Sequence, residues 1–148
     1  MLSRLRTLVG WRSKPSEDDV MRSIEQFASA IDTMLTLQLA WTNLDDKATN
    51  WGAHRPAVLA YILGACAGAQ AISRLGDETR MPMYVHVALP RLTVPPRKES
   101  DIEAVHNEID HLTLGPNVPD AITSAFSAGE QDFAEAAQGK SPRRLAEI

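Results

Sequence analysis

Cysteine is nearly absent from this chain: Cys66 is the only one in 148 residues. A lone cysteine excludes a disulfide framework within the chain and any cysteine-based zinc cluster. Behind the basic start MLSRLRTLVGWRSK there is no continuous apolar run of the kind a secretory signal needs, so a cytoplasmic location is expected. Internal repeats and low-complexity tracts are missing too. From Glu99 to Gly139 there is no Lys or Arg at all, against nine Asp or Glu. A surface of that sign repels phosphate, and no nucleic-acid partner is expected for it.

Catalytic signatures are equally scarce. No Ser-His-Asp order stands out, and Ser73 has no activating context. Gly139-Lys140-Ser141 matches only the end of a phosphate-binding loop, because position 134 is Ala where that loop requires Gly and no strand precedes it. Cys66 sits in mid-helix among Ala65, Ala67 and Gly68, the setting of a buried structural thiol rather than a nucleophile.

What is present reads as one folded domain, 44% hydrophobic and 23% charged. The organisation expected is a basic, flexible segment over 1–14, a helical domain over 15–139 and a basic tail over 140–148. Between the ends, from Pro15 to Gly139, eight Lys or Arg face eighteen Asp or Glu. The fold class expected is mostly α: a four-helix bundle-like domain, with a short Pro-bounded extended segment or small hairpin between the second and third helices.

The first helix opens at Ser16, a good N-cap followed by Glu17, Asp18 and Asp19 at the positive end of the helix dipole. Val20, Ile24, Phe27, Ile31, Met34 and Trp41 follow in steps of four and three, with Gln38 at the remaining step, a seam of heptad type. Leu35, Leu37 and Leu39 widen it. A second helix runs from Pro56 to Leu75 with Gly76 as its left-handed stop. It has no polar face, so it must be buried on nearly all sides, as the central helix of a soluble bundle rather than a membrane span.

Tyr84, Val85, Val87 and Val94 favour extended backbone, and Pro82, Pro90, Pro95 and Pro96 confine it to an edge; a short helix from Pro82 to Leu89 is the alternative. Ser100 and Glu103 read as a capping box for the next helix, with Ile102, Val105, Ile109 and Leu112 inward and Gly115-Pro116 as the stop. A last helix from Pro119 to Gln138 turns Ile122, Phe126, Phe133 and Ala137 inward, with Gly129 weakening its middle.

Three functional readings follow. In the leading one the chain is a small non-enzymatic interaction or regulatory protein whose partner is a protein, in the first place itself. Ala60, Gly64, Ala67, Gly68 and Ala71 gather on one side of the second helix, and small residues let another backbone come close, so they form the expected oligomer interface. Four helices in one chain can hardly surround that helix, which points to a second subunit. The acidic half from Glu99 onward offers a further surface for a basic protein.

The second reading is a metal-binding helical enzyme or sensor. At 100° per residue, Glu99, Glu103, His106 and Asp110 share one flank, and a divalent metal accepts such ligands. Against it, the flank has no second copy, and His111 points the other way; a solvated acidic face has the same pattern. The third is a peripheral membrane component, with Leu2, Leu5, Val9 and Trp11 beside Arg4 and Arg6 meeting an anionic lipid surface. Trp11, Trp41 and Trp51 read as core or interface anchors rather than a ligand cage, while His54, His86 and Asp45-Asp46 have no partners that spacing can place.

Overall fold

A computed structural model describes residues 16–41 and 49–145. Among these, the chain forms five α-helices and no strand: α1 Glu17–Trp41, α2 Arg55–Ser73, α3 Arg80–Leu92, α4 Glu99–Thr113 and α5 Asp120–Ala136. Short 3-10 turns occupy Thr49–His54 and Asp77–Thr79.

The start of α1 is set by its cap. Ser16 Oγ accepts the Asp19 N–H at 3.2 Å, and three acids fill the first turn. The expected seam is buried at Ile24, Ile31, Met34 and Gln38 and half-buried at Val20 and Phe27, and Ala28, Leu35 and Leu39 widen the buried face; at the last step, Trp41 is exposed. A straight helix of 3.6 residues per turn drifts about 20° per heptad away from a 3.5-residue repeat. Three heptads after Val20, that drift has turned Trp41 out of the core.

Pro56 lies in the first turn of α2, where its missing N–H is no loss. The helix ends at Ser73, and the left-handed residue is Arg74 (φ 59°), while Gly76 is extended. The expected stop is therefore displaced by two residues and falls on a side chain that has no special preference for it.

The Pro-bounded segment takes the helical alternative expected over 82–89 and not the extended one. Residues 80–92 are helical, so the bundle has a fifth helix in place of a strand or hairpin. Pro82 falls in the first turn of α3 and Pro90 near its end, positions that leave the middle of the helix intact. Met83, Tyr84, Val87 and Ala88 are buried together, the one-turn spacing of a helix face. Burial of that face overrides the strand preference of Val and Tyr.

α4 begins one residue before the expected capping box. Lys98 donates its backbone N–H to Asp101 Oδ2 at 2.8 Å, so Asp101 replaces Glu103 as the reaching carboxylate and Ser100 is inside the helix. α5 runs from Asp120, and Gly139 takes the left-handed conformation (φ 84°) just beyond it.

α2 is the centre of the molecule. Thirteen consecutive residues from Val58 to Gln70 are buried, and the most extensive packing is between α2 and α5. That contact depends on glycine. A methyl carbon at Gly64 would land on the carbonyl oxygen of Phe126, and one at Gly129 would land on that of Tyr61 and 2.9 Å from Ala65 N. Gly68 completes the crossing against Glu130, whose carbonyl oxygen would lie 2.9 Å from an added carbon. Gly129 is thus the mate of the α2 glycines, and the helix-propensity cost it carries accompanies a close crossing.

Candidate functional site

The small-residue side of α2 is already occupied. Ala60, Gly64, Ala67 and Gly68 are buried within the chain, with both glycines against α5; only Ala71 is exposed. This corrects the expected oligomer interface. The bundle surrounds α2 because α3 is a helix and because the segment after α5 folds back, with Leu145 only 5% exposed. The residues read as a basic tail are therefore part of the packed molecule as far as Leu145.

That segment is held by polar groups inside the bundle. Gln38 of α1 donates to the Tyr61 hydroxyl of α2 at 2.5 Å, and Tyr61 donates to Asp132 Oδ2 of α5 at 2.6 Å. Asp132 also accepts the Arg144 backbone N–H at 3.0 Å and Arg144 Nη1 at 2.9 Å. Arg144 further pairs with Glu135, donating Nη2 to Oε1 at 2.9 Å. The circuit closes where Leu145 N–H donates to Gln38 Oε1 at 2.7 Å. Gln38, Tyr61 and Asp132 are inaccessible to solvent. Burial, then the hydrogen bond to Asp132, push the Tyr61 phenol far above its ordinary range. Arg144 holds the Glu135 carboxyl below the usual carboxylate range, chiefly by hydrogen bonding. Every side chain in this chain of contacts has a partner, so it joins α1, α2, α5 and residues 144–145 without stranding a charge.

The metal flank does not become a centre. Among the described residues, no three His, Cys, Asp or Glu side chains gather in a way that could hold a metal ion. Glu99 and Glu103 are exposed, Asp110 is half-buried, and His106 instead lines a groove beside His86 and Arg97. The acidic half is also less free than its composition implies. Glu108 accepts Arg55 Nε and Nη2, each at 2.5 Å, in a bidentate pair. Asp101 is a cap, and Asp132 and Glu135 belong to the interior chain of hydrogen bonds.

Cys66 is wholly buried, and burial pushes its thiol far up despite the opposing charge of Arg80. Such a thiol is neither a nucleophile nor a metal ligand at neutral pH. Tyr84 and Trp51 are also buried, but the Tyr84 hydroxyl and Trp51 Nε1 have no hydrogen-bond partner among the described residues. His54 and His111 are exposed, and Lys140 and Ser141 lie in an exposed stretch with no phosphate-loop fold. Leu2, Arg4, Leu5, Arg6, Val9, Trp11 and Asp45-Asp46 lie outside the described residues.

Two surface features went unread in the sequence. On α1, the flank at the edge of the buried face carries buried Met34, half-buried Phe27 and exposed Ala30, which with Phe133 of α5 and Ile72 of α2 line an apolar groove of about 300 Å³. One to two turns further on, the same flank carries Leu37, 46% exposed, and Trp41, 57% exposed; Ile72 is 48% exposed. Their signal was available: on a 3.6-residue wheel Leu37 and Trp41 fall outside the stripe through Ile24, Ile31 and Gln38. The second is the groove that His106 lines, between α3 and α4. For the interior polar chain the one hint was Gln38, a polar residue at an inward step, which requires a buried partner.

Compared with known proteins, the chain matches no family model, no curated protein and no solved structure.

Proposed function

We propose that the chain is a non-enzymatic interaction module of regulatory type that pairs with a second copy of itself through the exposed flank of α1. The observation that carries this reading is a hollow and a projection on one helix. The hollow is the apolar groove centred on Ala30, and the projection is Leu37 with Trp41. They lie about 10–16 Å apart along the helix axis at 1.5 Å per residue.

A two-fold interface must be self-complementary, with each patch meeting its own image. An antiparallel copy crossing near Met34 satisfies that requirement, since the Leu37–Trp41 projection of each chain enters the groove of the other. Tryptophan on an apolar patch with a neighbouring pocket is the residue type that dominates such interfaces. Single exposed apolar residues need no explanation, but three beside one groove do.

Light scattering over a concentration series tests the reading. The unaltered chain should approach twice its single-chain mass. Leu37→Glu and Trp41→Glu should return it to one chain mass with unchanged circular dichroism, because both side chains are exposed in the single chain. A chain that stays single throughout the series rejects the proposal.

A further inference from the structure

The groove between α3 and α4 has a volume of about 400 Å³ and shares no residue with the α1 flank. Its α3 wall is a helical stripe: Pro82 and His86 are one turn apart, as are Val85 and Leu89. Ile102 and His106, again one turn apart, form the α4 wall. Arg97 comes from the connection between the helices, where its Nε donates to Thr93 Oγ1 at 2.9 Å, fixing the base of the guanidinium. None of the eight lining residues is Asp or Glu, including the two that come from the acidic half, Ile102 and His106.

The polar lining groups share one property. Arginine only donates, and an imidazole carries at least one N–H in either protonation state. Apolar walls with a few convergent donors are the pattern of a small-molecule site that orients an anion at one end and hydrocarbon at the other. A cation is disfavoured by Arg97. A polyanion is disfavoured as well, because Glu99, Glu103 and Asp110 lie on the side of α4 that carries His106, outside the groove lining. What fits is a single negative charge on an apolar body.

We propose that this groove binds a small organic carboxylate with a hydrocarbon body, the hydrocarbon lying on Val85, Leu89 and Ile102 and the carboxylate meeting His86, His106 and Arg97. The site does not depend on pairing through α1, so each stands or falls alone.

Decanoate, decanol and decylammonium, titrated into the full chain and followed by NMR, separate charge from hydrocarbon. Decanoate should shift the Val85, Leu89 and Ile102 methyls and the His86 and His106 imidazoles saturably. Decanol should bind about tenfold more weakly and decylammonium more weakly still. Arg97→Gln should reduce decanoate affinity and leave decanol affinity unchanged; His86→Gln serves the same purpose if Arg97→Gln disturbs the helices. The proposal is overturned if decanoate shows no saturable shifts at these residues, if decanol binds equally well, or if removing either donor from a folded chain leaves decanoate binding intact.

Discussion

At the scale of single residues, two tyrosines make opposite predictions from the same burial. The Tyr61 hydroxyl bridges Gln38 and the Asp132 carboxylate, whereas the Tyr84 hydroxyl has no partner among the described residues. Tyr61→Phe removes hydrogen bonds that include one to a charged group, and urea unfolding should show a loss of about 1.5–3 kcal/mol. Tyr84→Phe removes a buried polar atom that nothing satisfies, so stability should hold or rise; a loss above about 1 kcal/mol would mean the hydroxyl has a partner. Gly129→Ala sets two effects against each other. Helix propensity favours alanine by about 1 kcal/mol. The added carbon must displace the Tyr61 carbonyl and the backbone of α2, an overpacking cost of about 1–3 kcal/mol or more. Packing should win, lowering the urea midpoint, and an equal or higher midpoint would show that the helices can part cheaply. Cys66 should resist a thiol reagent in the native chain and react at the ordinary rate once urea unfolds it, because its thiol is both enclosed and held protonated.

Among the elements, α3 and the segment over 140–145 carry most of what the sequence left illegible. The cap of α1, the buried character of α2 and the existence of α4 and α5 could be read from local signals: Ser16, an unbroken apolar run, and stripes such as Val105 and Ile109. For α3, local preference and tertiary burial disagree, and only the neighbours reveal that Met83, Tyr84, Val87 and Ala88 have a face to fill. The small residues of α2 were legible as a site of close approach, but their mate was not. Gly129 reads as a flaw in α5 until the two helices are brought together. Residues 140–145 give no periodic signal at all, yet Arg144 and Leu145 anchor to α1 and α5. Acid should loosen this anchor. The Glu135 carboxyl has its pKa lowered in the folded chain by Arg144, so its contribution is present above the ordinary carboxylate range and is lost as pH falls through the lowered value. Amide exchange at Leu145 should therefore accelerate on acidification relative to core amides such as Leu59, once corrected for the intrinsic rate, and Glu135→Gln should remove that difference. Equal behaviour of the two amides would argue against the pair.

For the molecule as a whole, the interior polar chain explains why five helices and a folded-back segment hold one arrangement. Apolar surfaces alone would let α1, α5 and residues 140–145 slide, but Gln38, Tyr61 and Asp132 are satisfied in one register only. Ending the chain at Gly139 should cost more than the loss of Leu145 packing, because the Asp132 carboxylate then loses both its cation and a backbone donor inside the bundle. Thermal melts should show that truncation to be more destabilising than Arg144→Gln, which keeps the backbone donor; the reverse order would assign the anchor to the guanidinium alone. The same circuit has a consequence for biosynthesis. Gln38 and Leu145 are 107 positions apart, and a ribosome adds only about 5–20 residues per second. For several seconds the nascent chain therefore holds α1 and α2, later α5 as well, without the groups that neutralise and cap their shared interior. Closure of the bundle must wait until residue 145 has cleared the exit tunnel, so the contacts of α1 are completed long after α1 itself has been made.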